Sequence, residues 1–164
     1  MDLEVLYEKL LRYCYMRTHD RYLAEDIVQD TFVRFYSNHS YKETGKQLAY
    51  LYTIARNLCI DSYRRPKTVD LESVGEAVEF EPGAKTETDD LLDKMCVEQA
   101  MECLDEEGRE ILMLRFNQEL STSDIGEILG ISRFAVYRKI QKYLKEMKLE
   151  LYYGSILIFY HDEE

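Results

Sequence analysis

Apolar residues recur every three or four positions along most of this 164-residue chain. This spacing is typical of amphipathic helices that bury one face against neighbouring elements. Strand-like alternation is absent before the C-terminal tail, so the pattern predicts an all-α protein. The predicted helices cover residues 3–13, 22–36, 48–65, 91–104 and 107–116, and a pair of helices follows Ser121.

The apolar positions of the first three predicted helices define the faces that we expect to point inward. On the second of these helices, the outward face is acidic and polar. The inward positions are Leu3, Leu6, Leu10 and Tyr13, then Leu23, Ile27, Phe32 and Phe35, then Leu51, Ile54, Ala55 and Leu58.

Composition divides the chain into four segments. Residues 66–90 contain both prolines, two glycines and a net charge of −6, with little apolar periodicity. We expect a flexible acidic linker here, which either spaces two small helical domains or mimics nucleic acid in a basic channel. The predicted segments are an N-terminal domain 1–65, the linker 66–90, a C-terminal domain 91–150 and an apolar tail 151–164.

The tail contains a compact apolar run, Tyr152–Tyr160. Such a run would promote aggregation if it were left exposed. It is therefore expected either to pack on the C-terminal domain or to contact a partner, and the sequence does not decide between the two.

The segment STSDIGEILGISRFAVYRKI, residues 121–140, fits a helix-turn-helix. Ser121 and Ser132 are suited to cap its two helices. Gly130 lies where the chain must leave the first helix, and we expect a positive φ there. The two caps and the glycine together predict a sharp turn between two helices.

The second helix of this pair has two different faces. Val136, Ile140 and Leu144 recur every four residues and are expected to be buried. Residues 131–149 contain six basic residues and one acidic residue, although the whole chain carries −11. A packed back and a basic front suit the major groove of DNA, and the alternative is an ordinary helix pair with a solvated charged face. The front carries Arg133, Tyr137, Arg138, Gln141, Lys142 and Lys145.

Cysteine spacing and the remaining motifs indicate neither a metal site nor a catalytic site. Cys14, Cys59, Cys96 and Cys103 form no Cys-x-x-Cys pair, so we expect buried free thiols. The absence of a Ser-His-Asp set, a phosphate-binding glycine loop and a metal cluster argues against an enzyme and against a cofactor. With no apolar run of membrane-spanning length and no signal peptide, we expect a cytoplasmic protein.

Two further segments, AEDIVQDTF at residues 24–32 and YLYTIARNLCIDSYRR at residues 50–65, precede the helix-turn-helix. In this order the three segments resemble the small two-domain bacterial sigma factors of the extracytoplasmic-function (ECF) group. The resemblance covers nearly the whole chain except the linker and the tail. It implies a subunit that binds RNA polymerase core, reads the −35 and −10 promoter elements and captures the melted non-template strand.

The resemblance also implies roles for the N-terminal residues. The loop before the third helix and one face of that helix are expected to capture the −10 strand, and Asn57 there is able to read a flipped base. The alternative for Asn57 is an interhelical hydrogen bond. Arg64 and Arg65 suit phosphates, or simply favour the helix C-terminus through its dipole. The loop residues are Tyr41, Lys42, Glu43 and Thr44.

Polymerase contacts are expected on both domains. By resemblance, the second helix docks on the clamp of the largest subunit, whereas the residues alone suggest a solvated face. The C-terminal domain would grip the flap of the second-largest subunit, although core packing also explains those residues. The clamp residues are Asp26, Gln29, Asp30 and Arg34, and the flap residues are Leu112, Leu114 and Phe116.

For the −35 element, the resemblance assigns Tyr137, Arg138, Gln141 and Lys142 to base edges. Arg133, Lys139 and Lys145 are assigned to phosphates. Tyr50 stands where the family commonly has tryptophan, and Arg138 where it has a small residue, so the promoter sequence is not implied. A regulator such as an anti-sigma factor would be a separate chain. The alternative function is a helix-turn-helix regulator that binds duplex DNA without polymerase core.

Overall fold

The computed structural model describes residues 3–38, 46–64 and 97–161, and of residues 152–161 it describes the backbone alone. All regular structure in these ranges is helical, which confirms the predicted all-α class. Residues 97–102 form a helical segment, and residues 91–96 of the helix predicted there lie outside the described ranges. The helices are α1 (Leu3–Thr18), α2 (Arg21–Ser37), α3 (Gln47–Arg64), α4 (Glu106–Leu112), a π-helical turn (Met113–Asn117), α5 (Thr122–Leu129) and α6 (Arg133–His161).

Contacts divide the described residues into two compact units. The first contains α1 to α3 and the segment Ser123–Ser132, and the second contains residues 97–122 and α6. The predicted linker 66–90 lies outside the described residues, so the domain boundaries remain predictions. α6 continues through residue 150 as one helix, and the backbone therefore has no break where the tail was predicted to begin.

The core of the first unit forms where α1, α2 and α3 pack on one another. The fully buried rings of Tyr13 and Tyr52 meet edge to face, with their centroids 5.4 Å apart. Beside them lie the buried free thiols of Cys14 and Cys59, as predicted. A hydrogen bond with Cys59, together with burial, raises the pKa of Cys14, so the Cys14 thiol stays neutral.

Several predicted core positions of the first unit differ from the structure. Leu3 is 56% exposed because it lies in the first turn of α1, before the neighbouring helices cover that face. Phe32 and Phe35 are half-buried, whereas Ala24, Val28 and Thr31 occupy the centre of the α2 interface. Small residues are buried there because close helix packing favours short side chains, which periodicity of large apolar residues does not detect.

The turn between α5 and α6 has the predicted form. Gly130 has φ +69°, which confirms the expected left-handed conformation. The amide of Ile131 donates to the carbonyl oxygen of Gly126 at 2.9 Å, and the amide of Gly130 donates to the carbonyl oxygen of Glu127 at 3.4 Å. These two bonds form a Schellman motif, which satisfies the last carbonyls of α5. The helices begin one residue after Ser121 and Ser132, as the capping prediction required.

The second unit packs α4 against α6. α6 contributes Val136, Ile140 and Tyr143 to this core, and Tyr143 is only 1% exposed. The prediction of Leu144 as the third core residue was wrong, because Leu144 is 36% exposed. A large ring is buried at position 143 since Gly108 of α4 leaves room for it.

Candidate nucleic-acid and polymerase interfaces

The side of α6 opposite its buried residues carries an exposed basic surface. Tyr137 is 58% exposed, whereas Val136 and Ile140 of the same helix are buried. Lys142 is 3.8 Å from Glu146, an exposed pair that holds the lysine weakly. This arrangement leaves long cationic and hydrogen-bonding side chains available along one helix face. The exposed members of the predicted set are Arg133, Tyr137, Arg138, Gln141, Lys142 and Lys145.

Lys139 differs from the other predicted DNA-binding residues. Its ammonium donates to Oε2 of Glu107 at 2.6 Å, and its side chain is 34% exposed against 60% for Lys142. The same carboxylate oxygen accepts from the hydroxyl of Tyr143 at 2.8 Å. These hydrogen bonds, the one from Lys139 first, lower the pKa of Glu107. Lys139 thus forms an ion pair with Glu107 within the protein, whereas the resemblance assigned it to a phosphate contact.

Phe134 is an exposed aromatic residue that sequence analysis missed. It is 62% exposed in the first turn of α6, and the guanidinium of Arg133 lies 4.8 Å from the centre of its ring. Apolar groups at such a position are able to contact a thymine methyl in the major groove. Its place two residues after the predicted capping residue Ser132, in the first turn of the helix, was the available signal.

α2 presents a continuous exposed stripe. Asp26 and Gln29 are exposed, as the clamp assignment requires, and Asp30 pairs with Arg34 at 3.0 Å. The helical spacing brings three exposed apolar residues onto the same stripe: Tyr22 (82%), Val33 (62%) and Tyr36 (63%). Exposed aromatic and aliphatic groups among polar ones are common at protein interfaces. These three were not among the residues predicted from the sequence to contact the clamp.

On α3, Asn57 and Arg64 are exposed and lie two turns apart on one face. Asn57 makes no side-chain hydrogen bond within the described part of the chain, so the alternative of an interhelical bond is not observed. The predicted loop residues Tyr41 to Thr44, and Arg65, lie outside the described residues. At the edges of that loop, Nδ2 of Asn38 donates to the hydroxyl of Tyr50 at 2.6 Å.

The predicted flap residues do not form one surface. Leu112 and Leu114 are buried in the core of the second unit, at 3% and 0% exposure. Phe116, in the π-helical turn, is 58% exposed. Core packing therefore explains the two leucines, and Phe116 alone of the three is available to a partner.

The described ranges also bear on metal binding, on the cysteines and on membrane-spanning helices. Within residues 3–38, 46–64 and 97–161, no group of His, Cys, Asp and Glu side chains is arranged to hold a metal ion. Cys103 is exposed, contrary to the expected burial, and Cys96 lies outside these ranges. None of the helices searched is long and apolar enough to cross a membrane.

Comparison with family models gives two matches. Residues 4–68 match sigma-70 region 2, and residues 100–148 match sigma-70 region 4. The chain belongs to the sigma-70 family, in its ECF group. Sigma factors are transcription initiation factors, and this one is thus an RNA polymerase-associated factor for promoter-specific initiation.

Relatives of this sigma factor cover most of its length. The RNA polymerase sigma factor YlaC of Bacillus subtilis is 29% identical over 150 residues, with 88% of this chain and 84% of YlaC covered. The ECF sigma factor SigW of the same organism is 28% identical over 165 residues, covering 90% and 86%. The ECF sigma factor SigL of Mycobacterium tuberculosis is 28% identical over 145 residues, covering 87% and 82%.

A solved structure has the same fold. The sigma factor RpoE of Bartonella quintana, crystallised with the anti-sigma factor NepR, gives a TM-score of 0.67 at 22% identity. The match covers 91% of this chain and 93% of that one.

Proposed function

We propose that this sigma factor binds RNA polymerase core, reads the −35 element with α6, and captures the unpaired −10 strand with the surface around α3. The single observation that carries the proposal is the exposed basic face of α6, opposite a packed back. An acidic chain with net charge −11 would repel DNA overall. A cationic helix face within it therefore marks where phosphates and base edges would be contacted.

For −35 reading, Arg138 and Gln141 are exposed and lie about one turn apart. An arginine can bond guanine through two donors, and glutamine can do the same with adenine. Tyr137 and Lys142 extend this surface on either side. The part of α6 beyond residue 148 lies past the region 4 match.

For −10 capture, the exposed amide of Asn57 is able to donate to and accept from a flipped base. Arg64, two turns further along the same face, would contact a neighbouring phosphate. The family assignment of Tyr41, Lys42, Glu43, Thr44 and Arg65 completes this proposed surface.

For core binding, the α2 stripe combines apolar area with charged and amide groups. Tyr22, Val33 and Tyr36 would lose water on docking, while Asp26 and Gln29 would set the orientation. We propose the clamp of the largest subunit as the partner, and Phe116 as a candidate contact for the flap of the second-largest subunit. A separate anti-sigma chain is a further proposed partner, by analogy with the relative solved with NepR, and the protein would act in the cytoplasm with the polymerase.

The first test mixes the purified full chain with bacterial core polymerase lacking sigma on a sizing column. Co-elution that a housekeeping sigma factor displaces supports the proposal. Failure to co-elute at micromolar concentration would favour the alternative, a regulator that binds duplex DNA alone. A matched variant pair sharpens the result: Val33→Asp should weaken co-elution, and Val5→Asp, on the exposed part of α1, should not.

A further inference from the structure

The ring of Tyr143 lies directly on the backbone of α4. A Cβ atom at Gly108 would be 2.6 Å from Cδ1 and 2.7 Å from Cε1 of this ring, closer than van der Waals contact allows. Tyr143 is 1% exposed. Because residue 108 has no side chain, the backbone of α4 leaves a space that the ring of Tyr143 fills. This space is called the seat of the ring below.

The hydroxyl of the same tyrosine reaches the first turn of α4. It donates to Oε2 of Glu107 at 2.8 Å, and Oδ2 of Asp105 lies 3.3 Å away. Since a phenol has one proton, the shorter contact is the main hydrogen bond. Asp105 also caps α4 by accepting from the amide of Gly108 at 2.7 Å, which fixes the position of this turn.

Lys139 joins the same carboxylate from one turn earlier in α6. Its ammonium and the phenol of Tyr143 both donate to Oε2 of Glu107, at 2.6 Å and 2.8 Å. Two residues of α6, four positions apart, are thus held by one atom of α4. A rotation or slide of α6 would break both hydrogen bonds and lift the ring from its seat.

Such a rotation would redirect the exposed face of α6. Turning a helix by about 20° moves a side-chain atom about 6 Å from the axis by roughly 2 Å. A shift of that size exceeds what a direct hydrogen bond to a base edge tolerates. Contacts between α4 and α6 therefore decide where Tyr137, Arg138 and Gln141 project.

We propose that Lys139 and Tyr143 are positioning residues, which orient α6 on α4 for −35 reading, and that Lys139 is not a phosphate contact. This inference rests on the proposed function of α6. It separates Lys139 from Lys145, which is exposed on the same helix. A phosphate contact and a positioning contact differ in a measurable way, because only the phosphate contact releases counterions.

The experiment uses the full chain assembled with core polymerase. The holoenzyme selects an upstream-box duplex from a randomised pool, and its affinity for the selected and a scrambled duplex is measured over a range of salt concentrations. The variants are Lys139→Gln, the conservative Lys139→Arg and the control Lys145→Gln. All are measured well below their unfolding midpoints and at equal co-elution with core.

For Lys139→Gln we expect the ratio of selected to scrambled affinity to fall about three- to tenfold, as one misdirected base contact would cause. The slope of log affinity against log salt should stay unchanged, and Lys139→Arg should restore the ratio. For Lys145→Gln we expect both duplexes to weaken equally and the slope to fall by about 0.9, the value for one phosphate.

Either of two results would overturn the inference alone: a slope loss for Lys139→Gln equal to that of Lys145→Gln, or an unchanged affinity ratio while Lys145→Gln behaves as expected. If Lys145→Gln also had no effect, the proposed −35 role of α6 would fail and the inference with it. Tyr143→Phe provides a second variant that keeps the ring in its seat and removes the hydroxyl. It should lower the affinity ratio without changing the salt slope, and an unchanged ratio would exclude the hydroxyl from positioning.

Discussion

The two units complete their cores with different chemistry. The first unit buries an aromatic pair and two free thiols between α1 and α3. The second closes α4 on α6 with a ring seated on a glycine and with a cluster of carboxylates, a phenol and an ammonium. The apolar core depends on filled volume, whereas the polar cluster depends on geometry and protonation. We expect the first to resist small changes in side-chain direction and the second to be sensitive to them.

The largest effect should come from emptying the first core. Tyr52→Ala removes a fully buried ring that packs on Tyr13, and we expect a loss of about 3–5 kcal/mol in the free energy of unfolding. Denaturant titration followed by circular dichroism measures it. Tyr22→Ala, which truncates a ring that is 82% exposed, is the matched control and should change stability by less than about 0.5 kcal/mol. A loss below about 1 kcal/mol for Tyr52→Ala would mean that the pair is not central to the core.

A smaller effect should follow from filling the seat in the second unit. Gly108→Ala places a methyl group against the Tyr143 ring, and we expect about 1–3 kcal/mol of destabilisation from overpacking. The double variant Gly108→Ala, Tyr143→Leu should recover part of the loss because the clash is relieved. Residue-resolved hydrogen exchange of α4 and α6 provides the measurement. Equal protection in wild type and Gly108→Ala would show that the backbone adjusts freely.

Acid should destabilise the second unit first, and alkali should destabilise the first unit first. Hydrogen bonds lower the pKa of Asp105, chiefly the one from the amide of Gly108, and lower the pKa of Glu107, chiefly the one from Lys139. Their stabilising effect is present above the ordinary values of 3.8 and 4.5 and is lost as the pH falls below them. The pKa of Cys14 is raised, so its effect on stability has the opposite pH dependence. The stabilisation that comes from keeping this thiol neutral is lost as the pH rises above the ordinary value of 9.0.

We therefore expect α4 to lose amide protection first below about pH 4.5, and α1 and α3 to lose it first above about pH 9. Hydrogen exchange read by NMR at several pH values distinguishes the two units. Glu107→Gln should remove most of the acid sensitivity of α4. Simultaneous loss of protection in both units at low pH would contradict the assignment.

The smallest effect on stability should come from changing Asp30 on α2, and the same change should clearly weaken binding to polymerase core. Asp30 and Arg34 form an exposed pair on α2, with side chains 44% and 54% exposed. Asp30→Asn should change the free energy of unfolding by less than about 0.5 kcal/mol, as is usual for surface pairs. The same variant should lower the affinity for polymerase core, measured by competition with a housekeeping sigma factor. Unchanged competition would remove Asp30 from the proposed docking surface.

Much of the fold was accessible from local patterns. Periodicity predicted α1, α2 and α3, and the glycine between two capping serines predicted the left-handed turn at Gly130. The predicted helix at residues 107–116 was right up to Leu112, after which the chain continues as a π-helical turn. Apolar spacing does not distinguish an α-helical turn from a π-helical one, because the insertion shifts the side chains by a single position.

Long-range pairings were not accessible in this way. Leu144 fits a four-residue apolar repeat better than Tyr143 does, but the space above Gly108 selects the tyrosine. Lys139 has the charge expected of a phosphate contact, but its ammonium donates a hydrogen bond to Glu107, 32 residues earlier. Leu112 and Leu114 suit either a docking groove or a core, and only packing shows that both are buried.

The sequence by itself determined the helices, the turn at Gly130, the basic character of the α6 front and the family. These depend on local spacing, on backbone preferences of single residues and on charge, which neighbours in the chain already specify. Tertiary structure alone decided which side chains are buried at each interface and which cation of α6 is held by a carboxylate of α4. Those choices depend on the shape and charge of residues that folding brings together from distant positions, such as Gly108 beneath Tyr143 and Glu107 beside Lys139.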